Sequence, residues 1–375
     1  MSWKSVIGQN KIKELLKATL ENKKLPHAYI FLGEEGRGRY PLALELAKAV
    51  NCERSSSEAC DLCNSCVKIM NLQHPNLFLV FPLPVGKNED AHDSPYAKLT
   101  DEQIDAIQEQ LKLKSKNPYH KIRIEKANEI KVNSIREIRR QAAISSFMPG
   151  KKVFIIINAE MMNEESSNAF LKTLEEPVSD TLFIIITEKL ESLLPTIVSR
   201  CQVLRFEPLG ENDIQEALVE KYQINKETAK SVAGFAGGSF SRALEYIDPD
   251  IRKKNETAIN FLRTILTKSR TDISKLIEEL TSTYSRQDFI AIFLFLQQWF
   301  RNAMLLKEGL STKLSGEESN SLEKFIKSYP LWDYPTAIEA VDHSISHLNK
   351  NVYIPLVLIN LIHGLKSAIG ERKLS

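Results

Sequence analysis

Net charge is the first thing this sequence lacks. Lys and Arg total 50 against 48 Asp and Glu over 375 residues, a formal charge of +2. Such a balance excludes the chain-wide basic field that draws nucleic acid, so any contact with DNA must be local or made through other proteins. Long apolar runs are absent as well. Ala291 to Leu296 is one of the richest, and it falls far short of the roughly 20 residues that cross a bilayer. The start, Met1-Ser2-Trp3-Lys4, leads into no apolar core of a secretory signal. These absences predict a soluble, cytoplasmic chain with no membrane partner. Cysteine is scarce, five in all, but its placement is uneven.

Four of the five form Cys52-x7-Cys60-x2-Cys63-x2-Cys66. In a chain without a secretory signal, clustered cysteines favour metal over disulfides. Four thiolates at these spacings can close a tetrahedron around one zinc ion. Zinc held this way is structural, because four protein ligands leave no open position for a substrate. The surroundings are Glu53, Glu58 and Asp61 with only Arg54 and Lys68. A zinc-ribbon module for nucleic acid would need basic and aromatic neighbours instead. Cys201 is too remote in sequence to be assumed a fifth member.

Just upstream, Gly33-Glu34-Glu35-Gly36-Arg37-Gly38-Arg39-Tyr40 has the glycine rhythm of a phosphate cradle between a strand and a helix. Gly33, Gly36 and Gly38 preserve the turn. Arg39 and Tyr40 stand where a working loop has Lys and Ser or Thr. Arg39 keeps a positive charge on a longer, forked group, and Tyr40 cannot put a short hydroxyl beside magnesium. A retained turn that binds nothing is the plainer alternative, so nucleotide binding, ATP or ADP, is expected to be weak or absent. The run Lys152-Val153-Phe154-Ile155-Ile156-Ile157-Asn158-Ala159-Glu160 should be the strand that ends in an Asp-Glu pair in hydrolysing enzymes. Here the pair falls on Ile157 and Asn158. Glu160 lies further on and reads as solvated. Two lesions in one apparatus predict that this chain does not hydrolyse ATP.

The order of elements predicts α/β followed by all-α. Strands are expected over Ala28–Leu32, Leu77–Phe81, Val153–Ile157, Leu182–Thr187 and Val203–Phe206, with helices between them, giving a parallel sheet with right-handed crossovers. Helices are expected over Lys11–Glu21 and Pro41–Val50. Residues 82–130 break the pattern with prolines and mixed charge and read as a partly mobile insertion, with a surface helix near Thr100–Lys112. Domains are expected over 1–207 (cysteine module 52–66), 208–249 as a small helical lid, and 250–375 as a helical tail.

Taken together, Ile7-Gly8-Gln9, His27-Ala28-Tyr29, the worn loop, the four cysteines, His74-Pro75, the string Asn168-Ala169-Phe170-Leu171-Lys172-Thr173-Leu174-Glu175-Glu176-Pro177 and Ser199-Arg200-Cys201 resemble the bacterial clamp loader family, most closely its delta-prime branch. The resemblance covers residues 1–245 by motif and the tail by character only. It implies an AAA+ P-loop NTPase-like module, a small lid and a helical collar. It also implies a place in a hetero-oligomer of the DNA polymerase III holoenzyme with gamma/tau and delta subunits. Through that assembly the chain would act on the sliding clamp and primer-template DNA. By the same resemblance Arg200 is the residue donated into a neighbour's ATP site, where a guanidinium stabilises charge building on the γ-phosphoryl oxygens. An isolated Ser-Arg-Cys would read as a surface salt bridge. Hydrolysing subunits of the family carry a lid arginine in a G-S-x-R pattern. Gly238-Ser239-Phe240-Ser241-Arg242 puts serine there, and Arg242, one residue on, is rotated by about 100°.

Overall fold

The apolar runs at 152–157 and 181–187 become the two inner neighbours of a parallel sheet, buried along their whole length. The structure, a computed structural model, describes residues 2–55, 57–90, 93–144, 148–176, 180–309 and 317–369. His92 of the insertion and Pro177 of the Asn168 string lie outside the described residues. The first elements are α1 (Asn10–Glu21), β1 (Ala28–Leu32), α2 (Arg39–Val50), α3 (Asn64–Met70), β2 (Leu77–Val80), α4 (Asp101–Lys116) and α5 (Val132–Ala143). Next come β3 (Lys152–Ile157), α6 (Glu164–Glu175), β4 (Thr181–Thr187), α7 (Pro195–Val198) and β5 (Gln202–Arg205). Helices then run unbroken: α8 (Glu211–Tyr222), α9 (Lys226–Phe235), α10 (Phe240–Ile247), α11 (Pro249–Thr267), α12 (Arg270–Thr283), α13 (Arg286–Lys307), α14 (Glu317–Ser328), α15 (Tyr334–Asn349) and α16 (Ile354–Ser367). The expected α/β-then-α architecture is what the chain adopts, with strand edges displaced by a residue.

The sheet order is β2-β3-β4-β1-β5, all parallel. Ile30 of β1 sits between Ile185 and Val203, so the glycine loop leaves from the inside of the sheet. Alternate residues of each strand feed two cores. Phe31, Ile155 and Ile184 pack with Leu16 of α1 and Leu42 and Leu46 of α2. Ile30, Phe154 and Phe183 pack on the other face with Ile135 and Ile138 of α5 and Phe170 and Leu174 of α6. Lys152, buried at the start of β3, donates its ammonium hydrogens to the carbonyls of Gln141 in the last turn of α5 and of Ile144 just past it, satisfying groups the helix cannot pair itself.

The described residues of the 82–130 insertion are a folded part of this layer. Leu83 N–H donates to Glu129 O at 3.2 Å, joining its two ends. The Lys131 ammonium, 6% exposed, donates to Glu89 Oε1 at 2.6 Å and to the carbonyls of Pro84 and Pro95. Helix α4 starts at a reciprocal Thr100–Gln103 capping box and runs four residues past the expected end. It is not a free surface helix, because Ile107 enters the sheet's core and Lys114 is buried.

The chain divides into two compact units, Met1–Ile224 with Ala236–Arg242, and Asn225–Phe235 with Ala243–Ser375. In the second, Phe261, Phe289, Phe293, Phe300, Trp332 and Leu361 share one core. Trp332 stacks on Phe300 with ring centres 5.8 Å apart, and Trp299 meets Phe325 edge-on at 4.6 Å. Trp3 is buried in the first unit's core. Helix α13 is long and apolar enough, by length and composition alone, to cross a membrane, which the sequence reading missed. Its Phe289, Ile292, Phe293, Leu296, Phe300 and Ala303 are instead the inner face of this helical core. Ser285 and Asp288 cap its start, and Lys254 pairs with Asp288 at 2.5 Å.

Candidate functional site: a worn phosphate loop and a cysteine cluster

Between β1 and α2 the chain keeps the loop geometry. Gly36 and Gly38 have φ of +81° and +91°, a region side-chain-bearing residues avoid. A Cβ on Gly36 would also lie 2.0 Å from Ser239 Oγ. Gly33 N–H donates to Thr187 O and Phe240 N–H to Gly36 O, so both sides of the loop are fixed.

What should be phosphate-binding machinery is turned inward. Arg39 is 6% exposed, and its Nη2 donates to Glu188 Oε1 at 3.3 Å. Burial pushes this guanidinium down, and Glu188, Glu160 and Glu35 oppose that push. Tyr40 is buried with its hydroxyl unpartnered among the described residues, and burial raises its pKa. The Lys114 ammonium lies 4.2 Å from the Tyr40 ring centre. Burial brings Lys114 down to about 7 despite Glu35, with Arg39 adding to the fall. At the end of β3, Ile157 is buried and Asn158 takes a left-handed conformation (φ 57°) with no carboxylate. Glu160 is not simply solvated: it is half-buried, one carboxylate oxygen has no partner among the described residues, and its charge acts on Arg39. An open groove of about 870 Å³ lies beside the loop, lined in part by Gly33, Arg37, Glu188, Ser199 and Arg205.

Arg200 follows α7. Its Nη2 donates to Glu175 Oε1 and its Nη1 to Thr196 O, both at 2.9 Å, and the side chain is 35% exposed. Cys201 packs against the β3–β4 core, where burial pushes its thiol up to about 12. Arg242 turns back on its own turn, donating to Ala236 O at 3.5 Å.

The other four cysteines come together. The Sγ atoms of Cys52, Cys60, Cys63 and Cys66 all lie within 4.8 Å of one another. A tetrahedron with metal–sulfur bonds of about 2.3 Å has sulfur–sulfur edges of about 3.8 Å, so the donor set fits a soft divalent cation. Cys63 N–H donates to Cys60 Sγ at 3.3 Å and Cys66 N–H to Cys63 Sγ at 3.5 Å. Backbone N–H groups of Leu62 and Cys63 help bring Cys60 down to about 6, ready as thiolate. Burial pushes Cys66 up, and a bound cation would reverse that cost. The loop is fastened to α2 by Lys48, 1% exposed, which pairs with Asp61 at 2.6 Å and Glu45 at 2.7 Å. His74 Nδ1 accepts from Asn76 N–H, which leaves Nε2 to donate to Ser65 Oγ. Ser65 in turn donates to Glu53 at 2.8 Å.

Sequence reasoning missed Glu188, Lys114, Tyr119 and the Lys48–Asp61 pair. Only Glu188 had a signal, as the first polar residue after an apolar strand aimed at the loop.

Comparisons with known proteins bear on the family of the chain. A family model described as DNA polymerase III, delta subunit, matches residues 8–210. The DNA polymerase III subunit delta' of Bacillus subtilis (strain 168) is 31% identical over 222 residues, 59% of this chain and 54% of that protein. The gamma/tau subunit of Mycoplasma pneumoniae is 29% identical over 247 residues, 64% of this chain and 30% of that one. The matches thus span about half or less of these relatives' lengths. A solved gamma subunit-related protein of Thermotoga maritima superposes with a TM-score of 0.43 at 16% identity, over 95% of this chain and 99% of that one. With a model match across more than half of its length, the chain belongs to the family described as DNA polymerase III, delta subunit.

Proposed function

We propose that the chain is a delta-prime-type subunit of the DNA polymerase III clamp loader that does not hydrolyse ATP itself. One observation carries this reading: the groups that would organise triphosphate and magnesium are replaced by Arg39, Tyr40, Ile157 and Asn158, and Arg39 spends its charge on Glu188. Its neighbours in a cytoplasmic hetero-oligomer are gamma/tau and delta subunits, which act on the sliding clamp and primer-template DNA. Arg200 is the arginine finger for an adjoining ATPase subunit. Its hold on Glu175 is partly exposed and worth at most about 1 kcal/mol, so release is cheap. Cys52, Cys60, Cys63 and Cys66 hold structural zinc. The domains divide at 207/208 and 249/250 into sheet module, lid and collar.

Arg200→Ala in a reconstituted loader should leave assembly intact and lower DNA-stimulated ATP hydrolysis by the neighbour on the order of 10³-fold. Unchanged turnover refutes the finger. A gamma/tau-like subunit is the second reading, supported by the relatives of that kind. ATP turnover by the purified chain alone, lost in Gly38→Val, would establish it.

A further inference from the structure

We propose that residues 114–121 of the insertion act as a self-supplied ligand of the glycine loop, with Tyr119 standing in for a nucleobase and Lys121 meeting Glu35 of the loop, so that the site is closed to ATP and ADP. The Tyr119 hydroxyl accepts a hydrogen bond from Ile7 N–H at 3.0 Å, 112 residues away in sequence. A backbone N–H donating to an acceptor on a flat ring is the chemistry by which a protein holds the edge of an adenine. Tyr119 is 6% exposed, and its ring meets Phe240 edge-on with centres 4.9 Å apart. Its hydroxyl oxygen lies 3.4 Å from where a Cβ on Gly38 would be, against the residue that opens α2. Nucleoside leading away from phosphates in the loop would meet this ring.

Further contacts fasten the segment and brace it internally. Ser241 Oγ donates to Tyr119 O at 2.6 Å, and Lys121 pairs with Glu35 of the loop at 2.5 Å. The Lys114 ammonium donates to His120 O and covers the Tyr40 ring. The segment therefore presents an aromatic plate with an acceptor and two ammonium groups to one end of the loop. The cations of the loop itself are already held, Arg39 by Glu188 and Arg37 by Glu34 at 3.0 Å. A base entering beside Ile7 would have to displace a buried ring and break its hydrogen bond. The inference stands on the loop's surroundings and is independent of the role in clamp loading.

Equilibrium dialysis of the full chain against ADP and ATP tests it. Wild type should bind neither more tightly than about 1 mM, and Tyr119→Ala should gain at least tenfold in affinity for ADP. The inference is overturned if wild type binds ADP as well as the variant does, or if a Tyr119→Ala chain with native circular dichroism gains nothing. Should that variant fail to fold, Tyr119→Phe keeps the ring and removes only the acceptor. Hydrogen exchange at the Ile7 amide should then quicken at least tenfold, and unchanged exchange would overturn the inference.

Discussion

Two excursions leave the sheet on the same side of the sequence, and they are secured in opposite ways. The cysteine loop between α2 and β2 gathers four sulfur donors that could hold a cation from outside. The 82–130 insertion is held by buried cations, its own Lys114 and Lys131 just beyond its end, set against carbonyls and a single carboxylate. Spacing alone announces the first kind of fastening. The second becomes visible only when distant residues meet.

That contrast breaks most severely by taking the metal away. Cys63→Ser should abolish one equivalent of bound zinc, read by elemental analysis, and lower stability to urea by on the order of 4 kcal/mol or more. Wild-type protein purified without metal would end the cluster's assignment. Next is Lys131→Met, which strands Glu89 and two carbonyls in a buried place. It should cost about 3–5 kcal/mol in the same urea titration, and adding Glu89→Gln should recover part of the loss.

Lys114 sharpens the comparison through pH. Its folded pKa, about 7, lies below the ordinary 10.5, so between those values the unfolded chain binds the extra proton. Stability attributable to this site should therefore rise with pH from about 7 towards 10.5, and the burial cost is fully felt below 7. Glu35 and Arg39 face the amine from the loop side and His120 O accepts from it. Lys114→Met should flatten that slope, and parallel urea midpoints across this range for both proteins would contradict it. The smallest effect belongs to Arg200→Ala. Its pair with Glu175 is partly exposed, and stability in the same urea titration should change by no more than about 0.5 kcal/mol.

The sheet was legible because β3 and β4 are unbroken apolar runs, and only burial on both faces accounts for such runs. The cysteine cluster was legible because its ligands are local. Other features were not. Lys114 looks like one more solvated lysine on a polar helix, since nothing in the sequence shows the Tyr40 ring it covers. Arg39 and Glu188 are 149 residues apart, and the pairing comes from β1 lying next to β4. Helix α13 escaped notice as a long apolar helix because Gln297, Gln298 and Arg301 interrupt the run without interrupting the helix.

The placement of indole groups makes the two units separately observable. Of the three tryptophans, Trp3 alone reports from the sheet-bearing unit, while Trp299 and Trp332 sit in an aromatic cluster of the helical one. A chain carrying Trp299→Phe and Trp332→Phe would emit from the first unit only, and Trp3→Phe would emit from the second. Emission spectra of the two proteins, recorded along one denaturant series, would tell whether the units come apart together or in turn.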